Sequence, residues 1–182
     1  MSLTIIYYDN KEPDMDIDSV YEWLDYDHWA QVCNKTQRGR GWRFEQSSND
    51  GDGIKFWYMD LMDDALFNKT LLQKIRSDTQ VDWILERVYA NGQTHGLCGQ
   101  VHKDVEGAEP GTFYTLLYYA NNEWRPEWGG HTMFTTDSGV VTRYPTPNSM
   151  VWFDSTIPHV GLEPTRHCNE LRVTVAFKLR RP

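Results

Sequence analysis

Cysteine is scarce: Cys33, Cys98 and Cys168 are an odd number in 182 residues, and none forms a C-x-x-C pair. This excludes a disulfide framework and a zinc knuckle, and reduced thiols are expected. No run approaches the roughly 18 to 20 consecutive apolar residues of a membrane span, and the N-terminal MSLTIIYYDN lacks the basic-then-apolar layout of a signal peptide. A cytoplasmic protein with no membrane partner is expected. An excess of base is also missing, since 18 Lys and Arg face 26 Asp and Glu for a net charge of −8. Residues 1–27 hold eight of those acids against Lys11 alone, and the rest of the chain is close to neutral. Without a broad basic surface to neutralise phosphates, a nucleic-acid partner is not expected. The cluster Lys35, Arg38, Arg40 and Arg43 is the basic exception, and a solvated loop is a commoner fate for such a run than a docking patch. Internal repeats of 20 to 50 residues are absent too, which removes solenoids and propellers.

What the chain does have is apolar and aromatic mass, 40% and 14% of residues, with eight Trp, ten Tyr and seven Phe. A single domain over 1–182 is expected, large enough to bury about 70% of its extended-chain surface without a staple. Residues 1–80 read as helix-rich support. LTIIYY (3–8) predicts a strand, the stretch from Asp18 or Ser19 to about Asn34 predicts one or two short helices, and EQSSNDGDG (45–53) predicts a loop. Its likeness to a calcium loop fails, because the twelfth position counted from Ser48 is Met59 where a bidentate Glu is required. Asp63 to Ser77 has acids first, bases last and Leu66, Leu71, Leu72 and Ile75 on one face, and predicts an amphipathic helix. From 81 to 182 the texture is β: WILERVYA, TFYTLLYYA, HTMFT, GVVTRYP, SMVWFDS and LRVTVAFKL are separated by Asn91-Gly92, Gly129-Gly130 and Pro145-Thr146-Pro147. A mainly β (α+β) protein follows, a barrel or two-sheet jelly roll with N-terminal helices packed on it.

In GQVHKD a strand would put His102 and Asp104 on one face with Lys103 opposite, and His159 follows the SMVWFDS strand in STIPH. Two imidazoles and a carboxylate are the set that holds Fe(II) by one face and leaves positions for substrate and O2. H-x-D alone is a weak signal, and a lone His is more often structural. In LRVTVAFKL, Arg172 and Thr174 share a face opposite Leu171, Val173, Val175 and Phe177. Turned into a barrel, Arg172 needs an anion, and its planar fork suits a carboxylate; turned outward, it is a solvated arginine. Tyr119 either offers its hydroxyl to the same carboxylate or is a core aromatic. Cys98 is a possible soft ligand or, more commonly for Cys, a small buried thiol.

From about Arg87 to Lys178 the chain resembles the Fe(II)- and 2-oxoglutarate-dependent dioxygenases, in particular their prolyl-4-hydroxylase-like branch with its small bacterial and phage forms. RVYANGQTHGLCGQVHKD, LLYYANNEWRPEWGGHTMF and SMVWFDSTIPHVGLEPTRHCNELRVTVAFK carry the resemblance, in family order over half the chain. It implies a double-stranded β-helix of the cupin-like kind, with His102, Asp104 and His159 as iron ligands. It also implies that Arg172 pairs the distal carboxylate of 2-oxoglutarate, with Tyr119 and Thr174 beside it and Tyr89 lining the pocket. The implied cofactors are Fe(II), 2-oxoglutarate and O2, with ascorbate as a reductant, and the implied reaction hydroxylates a substrate C–H bond with release of succinate and CO2. With Asp104 present, no coordination position is vacated for halide, which favours hydroxylation over halogenation. The leading substrate is a prolyl residue in a peptide or protein. The rival readings are a binding module with a structural metal and a dioxygenase acting on a nucleobase or small molecule. His131 stands where the family usually has an acid after Gly129-Gly130, in a structural or supporting role rather than as a rival ligand. His95 and His167 read as loop residues. Trp124 and Trp128 are either a rim that stacks on a pyrrolidine ring or plain core, and the acidic leader favours substrates with nearby Lys or Arg.

Overall fold

Alternation decides the position of the strand Arg172–Arg180, which is buried on both faces. One face, Val173, Val175, Phe177 and Leu179, joins the main hydrophobic core. The other, Arg172, Thr174, Ala176 and Lys178, lines a cavity. A period of two therefore sorts apolar core from polar site within one strand. The computed structural model describes residues 23–46 and 55–182. The expected strand at 3–8, the acidic leader up to 22 and most of the 45–53 loop lie outside the described residues.

The strands are β1 (Arg43–Gln46), β2 (Lys55–Asp60), β3 (Ile84–Gln93), β4 (Phe113–Tyr119), β5 (Thr132–Thr136), β6 (Gly139–Arg143), β7 (Ser149–Asp154), β8 (His159–Gly161) and β9 (Arg172–Arg180). Six form an antiparallel sheet in the order β1-β2-β3-β9-β4-β7, and β6-β5-β8 form a second sheet. The fold is mainly β and is the double-stranded β-helix expected. β9 is paired on both sides, and against β3 its register sets Gln93 opposite Arg172, Asn91 opposite Thr174, Tyr89 opposite Ala176 and Arg87 opposite Lys178. The six β-branched and aromatic runs expected as strands after residue 80 are all strands, whereas GQVHKD (99–104) is not one. The helix-rich region also supplies β1 and β2, which extend the large sheet at one edge.

Of the one or two helices expected from Asp18 or Ser19 to about Asn34, the part up to residue 22 lies outside the described residues, and helix α1 runs Tyr26–Arg38, past the expected end. Asp25 sets the start, because its side chain accepts the His28 amide at 2.9 Å and satisfies an otherwise orphaned donor. Gly39 sets the end: a Cβ there would stand 1.9 Å from the Lys35 carbonyl oxygen. The helix expected over 63–77 runs from a π-wound turn, Leu66–Leu71, into α2, Leu72–Thr79. The wider turn shifts the buried face, so Phe67 is fully buried with Leu71, Leu72 and Ile75 while Leu66 is only partly covered. Both helices lie on the sheet face opposite the cavity, where Phe67 meets Phe177 and Trp83 meets Trp152 beneath Tyr114. A smaller cluster of Tyr119, Phe134, Val151 and Phe153 fills the space between the sheets.

Candidate active site

His102 and His159, far apart in sequence, form an isolated antiparallel bridge. Each backbone amide donates to the other's carbonyl, at 3.0 and 2.9 Å. The imidazole centroids consequently lie 4.6 Å apart. Asp104 does not sit on a strand with His102, as the H-x-D parity argument expected. It follows the bridge in a bend, anchored by its amide to the Ser155 carbonyl at 3.0 Å. The outcome is still convergence, with the Nε2 of His102 and of His159 at 3.7 and 3.5 Å from the two Asp104 oxygens.

The donor set suits a divalent cation. The Nδ1 of His102 and of His159 each lies 2.9 Å from a carbonyl two residues earlier, of Gln100 and Ile157 respectively. Only Nδ1–H can donate there, so in the neutral form of each ring Nε2 carries the lone pair and faces the carboxylate. Burial pushes the His159 pKa down to about 4, so it is neutral at pH 7. Hydrogen bonding to Asp104 raises that of His102, against the opposing effect of burial. Burial alone would favour a protonated Asp104, but the Lys178 ammonium and both imidazoles hold its carboxyl well below the usual range. Thr115 donates to Asp104 at 2.5 Å, and Lys178 forms an ion pair with the same oxygen. The three donor atoms lie within 4.8 Å of one another, and they are the one such group among the described residues.

These residues line a cavity of about 270 Å³ whose closed end is Arg172. The guanidinium is 2% exposed, so its solvated alternative is overturned. Nε donates to the Gly130 carbonyl at 2.5 Å, Nη1 to Gln93 Oε1 at 2.8 Å and Nη2 to Thr132 Oγ1 at 3.0 Å. All three partners are neutral, and among the described residues no carboxylate pairs with Arg172. A buried guanidinium without a counter-anion is costly, and it gives this end of the cavity its affinity for a carboxylate. Gly130 is glycine of necessity: its φ is +70°, and a Cβ would lie 3.0 Å from the Arg172 side chain and 3.1 Å from Trp124.

Thr174 and Tyr89 line the cavity as expected. Tyr119 stands one layer behind it, donating its hydroxyl to Thr132 Oγ1 at 2.8 Å, with the Arg172 guanidinium 5.9 Å from its ring centre. His131 packs edge-on against Tyr144 and is no ligand. Cys98 is exposed, neither ligand nor buried thiol, because the segment from 96 to 101 is irregular and strand parity does not apply to it. His95 and His167 lie in loops. Trp124 and Trp128 are buried at 6% and 8% exposure, which removes the rim reading. They pack edge to face, and Trp124 Nε1 donates to the Gly129 carbonyl at 2.9 Å, supporting the turn that presents Gly130 to Arg172. Gln93, Thr115 and Thr132 were not among the residues the sequence pointed to, and neither was the pairing of Lys178 with Asp104. Lys178 shares the alternation of Arg172 and Thr174 along β9, so its inward face was readable.

The model of the 2OG-Fe(II) oxygenase superfamily matches residues 88–178. The chain belongs to that superfamily. Its members use Fe(II), 2-oxoglutarate and O2, and the triad and the Arg172 end of the cavity fall within the matched segment. No curated protein matches the chain in sequence. In structure it is similar to a Pseudomonas putida prolyl-4-hydroxylase, with TM-score 0.63, 17% identity, and coverage of 90% of this chain and 91% of that one. A prolyl hydroxylase from Trichoplax adhaerens, in complex with a hypoxia inducible factor peptide fragment, gives 0.67 at 15% identity over 89% and 82%. SnoN, an α-ketoglutarate-dependent epimerase from nogalamycin biosynthesis, gives 0.61 at 11% over 89% and 75%. The shared fold thus serves different reactions.

Proposed function

We propose that this dioxygenase hydroxylates a prolyl residue in a peptide or protein, with His102, Asp104 and His159 holding Fe(II) and Arg172 gripping the distal carboxylate of 2-oxoglutarate. The observation that carries the proposal is the pairing of two sites in one cavity, an imidazole and carboxylate triad on its wall and a guanidinium without a counter-anion at its closed end. When bound, the iron supplies oxidative chemistry that no side chain here possesses. Gln93 and Thr132 hold the Arg172 fork in plane for a bidentate carboxylate, and Thr174 and Asn91 wall the space between Arg172 and the triad. Asp104 stays ionised in the dry site because Thr115 and Lys178 compensate it. The open end, beyond Tyr89, Tyr58 and Arg87, is left for the primary substrate. The peptide class takes its support from the Trichoplax neighbour, which was captured with a peptide, and from the sequence resemblance to the prolyl-4-hydroxylase-like branch. The binding-module alternative gives no reason to bury Arg172 without a counter-ion. Ascorbate is proposed as the reductant that keeps iron ferrous.

The test is turnover of a proline-rich peptide library with Fe(II), 2-oxoglutarate and ascorbate, read by mass spectrometry. Succinate release with a +16 Da shift on proline is expected. A +16 Da shift confined to other residues, or to nucleotides or free amino acids, would remove the prolyl assignment and leave the dioxygenase chemistry standing.

A further inference from the structure

The open end of the cavity carries positive charge that neither the triad nor the 2-oxoglutarate end uses. Arg87 and Lys178 are direct cross-strand partners on β3 and β9, and both line the cavity. Like charges placed directly opposite each other destabilise a sheet unless compensated. Lys178 is compensated by its ion pair with Asp104. Arg87 is not: among the described residues it pairs with no carboxylate, and its contacts are aromatic. Its guanidinium lies 4.8 Å from the Tyr89 ring centre, and its charge reaches the neighbouring Tyr58 hydroxyl. Tyr58 and Tyr89 stack at 5.5 Å, and Arg43 lies 5.8 Å from the other end of this group, over Tyr58. Of the two acids that line the cavity, Asp104 pairs with Lys178 and Glu45 sits 3.6 Å from Arg43. Asp60, opposite Tyr89 on β2, makes no ion pair with Arg87, so among the described residues Arg87 remains the cation at the mouth without a carboxylate partner. A protein with a net charge of −8 thus presents, at the open end of the cavity, an exposed guanidinium seated over the Tyr89 ring. A guanidinium seated on an aromatic face keeps N–H donors for a carboxylate.

We propose that Arg87, with Arg43 beside it, binds an Asp or Glu side chain of the peptide substrate that flanks the residue to be hydroxylated. This rests on the peptide reading above, and it reverses the expectation from the acidic leader that nearby Lys or Arg is preferred. Tyr58 and Tyr89 position the guanidinium and pack on the adjoining part of the peptide.

One experiment separates the two readings. Wild type, Arg87→Gln and Arg87→Glu, each loaded with Fe(II) and 2-oxoglutarate, are given the same random library of peptides, and the +16 Da products are sequenced. For wild type, Asp and Glu within two residues of the oxidised position should be enriched about tenfold over Lys and Arg, the scale of one charge-assisted hydrogen bond. Arg87→Gln should lose the enrichment, and Arg87→Glu should turn it towards Lys and Arg, a gain that also shows the variant is folded and active. Wild-type products with no flanking preference, or a preference unchanged in Arg87→Glu, would overturn the inference. Oxidation of acid-flanked residues other than proline would remove the prolyl reading and leave this one standing. Oxidation of no peptide would remove both.

Discussion

A guanidinium cut off from water keeps its charge only where its surroundings compensate for lost solvation, and at Arg172 three neutral oxygens do so incompletely. Removing the partner of a buried charge costs roughly 3 to 5 kcal/mol. Arg172→Ala should therefore weaken 2-oxoglutarate binding more than about a hundredfold in a direct binding titration, while iron stoichiometry stays at the wild-type value. Unchanged affinity would transfer the role to Lys178. At the cysteines the contrast is burial. Cys33 is buried, its thiol 3.4 Å from the Ala120 carbonyl, and burial pushes its pKa to about 11. The proton is held more tightly folded than unfolded, so the stability this thiol lends is complete below pH 9 and is lost as pH rises towards 11. A thiol reagent at pH 8 should label exposed Cys98 first and reach Cys33 only in denaturant; fast labelling of Cys33 in native protein would contradict its burial. The residue types of the triad and the alternation around Arg172 were legible in the sequence. The His102–His159 bridge was not, because long-range pairing of two short segments leaves no local pattern. Tyr119 was legible as a supporter of Arg172 but not as one that acts through Thr132 from behind the pocket wall.

At the scale of elements, Asn148 fastens the segment before α1 to the sheet. Its backbone is left-handed at φ +56°. Its side chain accepts from the Leu24 amide at 3.1 Å and the Tyr118 hydroxyl at 2.9 Å, and donates to the Leu24 carbonyl at 2.8 Å. Asn148→Ala strains the backbone and strands three buried polar groups, a loss of about 3 kcal/mol and a melting temperature lower by roughly 5 to 10 °C. Asn148→Gly relieves the backbone but not the hydrogen bonds, so it should fall nearly as far; a melting temperature at the wild-type value in both would contradict the clamp. The strands of the second half were legible because β-branched and aromatic runs end at strong turn signals. β1 and β2 were not: RFEQ and KFWYMD mix charge with aromatics, as suits an edge whose faces meet solvent and a polar cavity. The helix over 63–77 was legible from its amphipathic face, but not the π-wound turn that moves Phe67 inward, since a change of winding leaves the composition as it is.

At the scale of the whole molecule, two sheets enclose the site and helices cover the back of the larger one, so that β9 serves core and cavity at once. The architecture places the triad and Arg172 in one pocket, and their joint occupation by Fe(II) and 2-oxoglutarate is the claim on which the rest depends. An anaerobic titration of the Fe(II)-loaded protein with 2-oxoglutarate tests it most directly, read by iron content and by the weak visible charge-transfer band of the chelated co-substrate. The wild type should hold one iron per chain and develop the band to saturation at one 2-oxoglutarate per chain, whereas His102→Ala should hold little iron and show no band. Equal iron content and an equal band in wild type and His102→Ala would contradict the assignment of the site.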